Sequence, residues 1–178
     1  MTKPLINVAE AETHSGGSGE TFAHEMTELS LPLGARQIGA NLTRVPPGKA
    51  AFPFHHHHGN EEHFFILSGT GVLRLGARRY EVKPQDYIVN LPGGPESAHQ
   101  LINTGAVDLV YLAISTSIVP EVVGYPDSGK TGVRPSSLDD DPALFRIPDS
   151  AKNTVAYWDG EDGAAVAAVV AAGTEGSR

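Results

Sequence analysis

The feature that most constrains this chain of 178 residues is the spacing of turn formers between residues 37 and 115. Pro46-Pro47-Gly48, Ser68-Gly69, Leu75-Gly76, Lys83-Pro84, Pro92-Gly93-Gly94-Pro95 and Thr104-Gly105 leave segments too short for self-supporting helices. Between them lie runs of β-like composition: Gln37 to Val45, Ala50 to His57, Glu62 to Leu67, Gly71 to Leu75, Arg79 to Val82, Asp86 to Leu91, His99 to Asn103 and Val107 to Ser115. Roughly eight short strands joined by tight turns predict an all-β barrel or jelly roll.

Around this block the chain changes character. Residues 1–21 include Ser15-Gly16-Gly17-Ser18-Gly19 and are expected to form a flexible leader. The barrel is placed at 22–119. Residues 120–178, rich in Pro, Asp and Ser and containing Asp139-Asp140-Asp141, are expected to form an irregular extension. Within it Val155 to Asp159 reads as a short strand whose aromatics cap a groove. Ala164 to Ala172 reads as a tail element and Gly173 to Arg178 as disordered.

A net charge of -8 without a basic cluster argues against nucleic acid as a partner. No stretch approaches the roughly 20 apolar residues of a membrane span, and the start of the chain lacks signal-peptide character, so no membrane partner and a cytoplasmic location are expected. The chain has no cysteine, so any transition metal must be held by imidazole and carboxylate.

Half of the eight histidines stand in Pro53-Phe54-His55-His56-His57-His58-Gly59-Asn60-Glu61-Glu62. Side chains alternate along a strand, so His55 and His57 share one face while His56 and His58 share the other. A turn at Gly59-Asn60 can return Glu62 to the same space on the next strand. Alternation alone leaves open which histidine pair faces inward.

Here the sequence resembles the cupin superfamily. Gly48, His55, His57, Glu62 and Gly69 match its first motif, with a spacer between Gly48 and His55 one residue longer than the family pattern. Choosing His56 and His58 would lengthen it further. Pro92, Gly94, His99 and Asn103 match the second motif, although Gln85 stands near its expected first glycine and the spacer before His99 is two residues longer than usual. The chain also looks like a subgroup of single-domain bacterial cupins with Pro-Phe-His before the cluster and Tyr125-Pro126-Asp127-Ser128-Gly129-Lys130 after the barrel. Names in that subgroup include sugar-phosphate isomerase.

The resemblance implies a double-stranded β-helix in which His55, His57, Glu62 and His99 bind one divalent transition metal, such as Fe, Mn, Ni or Zn. Three imidazoles and one carboxylate leave such an ion positively charged, with open positions for small ligands. A small-molecule substrate or ligand is expected in the barrel mouth, and a homodimer formed through exposed sheet edges. The activity implied is that of a metal-dependent dioxygenase or a sugar-phosphate isomerase, and isomerisation also needs a general base, for which the sequence nominates no residue. A non-catalytic metal- or ligand-binding cupin is the alternative.

The remaining candidates have plainer readings. His56, His58 and His63 are expected on the opposite face, and His14 and His24 as surface positions. Phe52, Phe54, Phe64, Phe65 and Tyr87 read as packing groups, and Glu61 as a surface acid. Arg36 and Arg44 read as solvated cations, and Asn103 and Gly94 as turn and strand formers. Tyr111 is a candidate for the mouth, and strand parity puts Gln100 opposite His99.

Overall fold

The computed structural model describes residues 4–135, 145–147, 152–154 and 156. The expected elements at Val155 to Asp159, Ala164 to Ala172 and Gly173 to Arg178, and the Asp139 to Asp141 run, lie outside or almost wholly outside these residues. The described strands are β1 (Thr13–Ser18), β2 (Phe22–Glu28), β3 (Ile38–Val45), β4 (His56–His57), β5 (Glu62–Ser68), β6 (Gly71–Leu75) and β7 (Arg78–Val82). They continue with β8 (Tyr87–Asn90), β9 (His99–Ile102), β10 (Leu109–Thr116), β11 (Glu121–Tyr125), β12 (Lys130–Arg134) and β13 (Phe145–Ile147).

Two layers result, as expected for a jelly roll. One is a six-stranded antiparallel sheet ordered β1-β2-β3-β10-β5-β8. The other consists of β13-β12-β11-β4 and β7-β6-β9, stitched together by an antiparallel bridge between His55 and His99. In that bridge each residue donates its backbone N–H to the other's carbonyl, at 3.2 and 2.8 Å. Two candidate donors therefore sit directly across from each other in mid-layer. Between the layers pack Val45, Phe64, Ile66, Leu73, Val82, Leu101, Leu109 and Tyr111. A fully buried side chain of this kind contributes about 1.5–3 kcal/mol.

All the strands expected between 37 and 115 are present, with one substantial change. Ala50 to His57 is not one strand: only His56–His57 has regular pairing, with isolated bridges at Ala50 and His55. Pro53 has no N–H to donate to a ladder, and the chain bends there. Gln85, which stands near the position of the family pattern's first glycine, adopts φ 77°, the left-handed conformation that favours glycine.

Both ends depart from expectation. Thr13–Ser18 is a strand along its whole length, paired with β2 although fully exposed, rather than part of an unstructured leader. Backbone pairing with an adjacent strand orders residues whose own side chains bury nothing. The segment after Pro120 likewise enters the fold as a β11–β12 hairpin, and β11 pairs with the histidine strand itself, Val123 opposite His57. Among the described residues no helix is long and apolar enough to cross a membrane.

Candidate metal centre

The structure brings His55, His57, Glu62 and His99 together, with one donor atom from each inside a common span of 4.8 Å. Glu62 comes from β5 in the six-stranded sheet, and the three histidines come from the facing layer. Its Oε2 lies 2.9 Å from His99 Nε2 and 4.0 Å from His57 Nε2. Ligands on opposite sides of a common ion stand about 4.2 Å apart at bond lengths near 2.1 Å. A small inward shift of the donors would therefore suit a first-row divalent ion.

Each imidazole is oriented from behind. His55 Nδ1 lies 2.8 Å from the Pro53 carbonyl and His99 Nδ1 lies 3.3 Å from the Ser97 carbonyl. His57 Nδ1 faces Glu121 Oε1 at 3.6 Å, just beyond hydrogen-bond length. With Nδ1 directed at an oxygen, each ring presents Nε2 to the shared space, the arrangement that fixes tautomer and aim in metal-binding histidines. Burial, reinforced by neighbouring His99, pushes the His55 imidazole down to about 4. It is neutral at pH 7, the form that donates a lone pair. Burial pushes the Glu62 carboxyl up, but the His99 hydrogen bond and the neighbouring imidazoles outweigh it and hold Glu62 below the usual carboxylate range.

Glu121 is the residue that sequence reasoning missed. It is 1% exposed, accepts the His58 and Gly59 N–H groups at 3.1 and 3.3 Å, and also accepts the Asn60 amide. Burial raises its carboxyl, but the adjacent His57 imidazole and the two N–H groups reverse the sign. Asn60, itself buried, ties the same loop to the Ile118 carbonyl and N–H. The available signal was an acid inside the apolar run Val119 to Val123, since a carboxylate buried in such a run needs partners.

The histidines outside this set sort by their surroundings. His56 faces away from the centre, yet it is buried rather than a surface group. Its ring lies against Gly124, where a Cβ would collide with it, and its Nδ1 is 2.8 Å from the Gly93 carbonyl. Burial lowers its affinity for a proton, against the opposing pull of that carbonyl. His58 packs edge-on to His56. His63 sits between the Tyr87 hydroxyl and the Glu61 carboxylate, at 2.6 Å from each. His24 is half-buried against Phe52 with Nδ1 3.0 Å from the Ala51 carbonyl, whereas His14 is exposed as expected.

Tyr111 is a buried floor residue stacked edge-on to Phe64, not a mouth residue. Burial, aided by the Glu62 charge, raises its phenol well above the ordinary value, so it stays protonated. Gln100 points away from the centre, donating to the Phe52 carbonyl and accepting from Arg74. Arg44 pairs with Asp108 and Glu25. Asn103 closes turns by donating to the Val45 and Val107 carbonyls.

Fold and donor set define a two-layered jelly-roll protein with a His/Glu group positioned for a metal ion. The chain belongs to the cupin family, with residues 41–115 matching the cupin domain. It is 31% identical over 100 residues to an oxalate-binding protein of Thermotoga maritima, covering 56% of this chain and 78% of that one. It is similar to a solved structure from Acidithiobacillus ferrooxidans, provisionally named a sugar phosphate isomerase, at 25% identity and TM-score 0.70, covering 86% of this chain and 97% of that one. A sugar phosphate isomerase of the cupin superfamily from Silicibacter pomeroyi aligns at TM-score 0.73 over 86% of this chain and 98% of that one. At 19% identity it speaks for the fold alone.

Proposed function

We propose that this protein is a metal-dependent cupin acting on a small oxygen-bearing molecule, with His55, His57, Glu62 and His99 holding one divalent transition ion. The observation that carries this reading is the grouping of three imidazoles around Glu62, each Nδ1 facing an oxygen and the Nε2 atoms of His57 and His99 turned toward the Glu62 carboxylate. When bound, such an ion supplies Lewis-acid polarisation and a place to orient substrate or dioxygen. The chain's own groups set the surroundings. Glu121 holds His57 in place, and Tyr111 and Phe64 close the floor.

Dioxygenase-type and isomerase-type chemistry both suit this donor set. Isomerisation needs a base beside the substrate. Glu121 is turned behind His57 and already accepts three protein donors, and the Tyr111 phenol keeps its proton. This favours the oxygenase-type reading. The relative named for oxalate binding supports a second reading, a cupin that binds its ligand without turnover. Two copies pairing through the exposed edge strand β1 is the assembly proposed.

The first test is elemental analysis of untagged protein purified without added metal. Wild type is expected to carry close to one transition ion per chain, and His57→Ala and His99→Ala to carry little. Equal metal in all three would overturn the site. An oxygen electrode then separates the chemistries, using iron-loaded protein with catechols, thiols and keto acids. Stoichiometric oxygen consumption with one of them supports the oxygenase reading, and none across the panel removes it.

A further inference from the structure

The β11–β12 hairpin carries a second set of groups aimed at the same centre. Directly opposed residues in an antiparallel pair project to the same side, and every second residue keeps that side. Val123 opposes His57, so Glu121, Val123 and Tyr125 share the face of the candidate donor. Their partners on β12 are Arg134, Gly132 and Lys130. Side-chain positions agree: the Tyr125 ring lies 6.3 Å from the His55 ring, and Lys130 Nζ lies 5.4 Å from the centre of the Tyr125 ring. Gly132, between Lys130 and Arg134, places no side chain on that face.

Among the described residues neither Lys130 nor Arg134 has a carboxylate within ion-pair distance, on a chain whose net charge is -8. Arg74, on β6 beside the tip of this hairpin, is paired. Its guanidinium binds both oxygens of Asp127 at 2.8 and 3.0 Å while lying over the Phe54 ring at 4.0 Å. This clamp fastens the Pro126–Ser128 turn to β6 and so fixes the start of β12, where Lys130 stands. Two cations that no described carboxylate pairs, beside a site for a divalent cation, repel it and each other. The arrangement becomes favourable when an anion lies between them.

We propose that the molecule bound at the metal centre carries, at its far end, a second anionic group, carboxylate or phosphate, held by Lys130 beside Tyr125, with Arg134 adding to the field. This rests on the metal-centre reading above and specifies its substrate class: a small dianionic or phosphorylated molecule several atoms long.

Calorimetric titration of the zinc-loaded full chain with glycerate, malate and 3-phosphoglycerate tests it. The three share an α-hydroxycarboxylate end and differ in a neutral, carboxylate or phosphate tail. The better of malate and 3-phosphoglycerate is expected to bind about fivefold more tightly than glycerate, with the advantage shrinking in high salt. The winner identifies the anion. Lys130→Met should erase the advantage and leave glycerate unchanged, Lys130→Arg should keep it, and Lys83→Met should alter nothing.

Acetic anhydride labelling gives a readout independent of affinity, since the charged-tail ligand should protect Lys130 and glycerate should not. Equal binding of the three acids, no binding of any, an advantage that survives Lys130→Met, or equal labelling would each overturn the inference. If the wild type takes up no zinc, the metal-centre reading falls and this one with it. Zinc uptake without tail preference overturns this one alone.

Discussion

The two faces of strands β4 and β5 carry nearly the same residues and differ in what those residues are left free to do. On the inner face His57 and Glu62, joined by His55 and His99, keep one donor apiece directed into a shared space. On the outer face His63 has both ring nitrogens taken, by Tyr87 and Glu61, and His56 is wedged between Gly124 and the Gly93 carbonyl. Histidine next to carboxylate is therefore not what makes a candidate centre. An imidazole becomes a ligand candidate when one nitrogen is directed at an oxygen and the other faces further potential donor atoms across a shared space.

The largest effect expected from breaking this contrast is on metal retention. Glu62→Ala removes the anionic donor, and metal affinity should fall by more than about 100-fold, whereas Glu61→Ala, one residue away on the other face, should leave it unchanged. Competition with a chromogenic chelator measures both. Parallel losses in the two variants would mean that the faces are not functionally distinct.

Next in size is Glu121→Gln. Partners that orient metal-binding histidines are typically worth about 10–100-fold in affinity. The glutamine keeps the volume and, with its carbonyl at the Oε1 position, still accepts the His58 and Gly59 N–H groups, but it loses the charge facing His57 Nδ1 and turns an NH2 toward the Asn60 amide. Metal affinity should drop within that range, with a stability loss of about 1–3 kcal/mol from the donor left facing Asn60. A large fall in stability with unaltered affinity would assign Glu121 to the loop instead.

On the outer face the expected effect is one of packing. Gly124→Ala places a methyl group into the His56 ring, and overpacking of this kind costs about 1–3 kcal/mol. Chemical denaturation should show that loss, and pairing with His56→Ala should recover part of it, because the obstructing ring is then gone. Full additivity of the two substitutions would show that the contact carries no energy.

These contrasts mark how far the chain could be read unaided. Short strands at 37–115 were legible because turn chemistry and alternation are local, and the grouping of His55, His57, Glu62 and His99 was legible from the register of the family motif, which favours His55 and His57 over His56 and His58 and leaves His99 without a rival. What escaped depends on distant partners. His56 is buried because a glycine 68 residues later lets β11 approach it, and Glu121 sits behind His57 because β11 pairs with β4. The glycine-rich stretch at 15–19 has the composition of a loose leader, and it is ordered because β2 supplies a backbone edge. Gln85 occupies a glycine-type conformation that no local signal in its own side chain announces.

The smallest expected effect concerns the hairpin clamp, which ties the inner-face cations to the barrel. The Arg74 guanidinium holds the Asp127 carboxyl below its usual range. A carboxyl depressed on folding contributes stability that is fully present above its unfolded value, near 3.9, and is lost as pH falls through the folded value. Asp127 is 55% exposed, so solvent screening keeps the pair within about 0.2–1 kcal/mol. Asp127→Asn should therefore lower stability slightly at pH 7. Its difference from wild type should narrow below pH 4, and at high salt. Denaturation curves of both proteins between pH 7 and pH 3 measure this, and a gap of constant size would show that the clamp acts by shape rather than by charge.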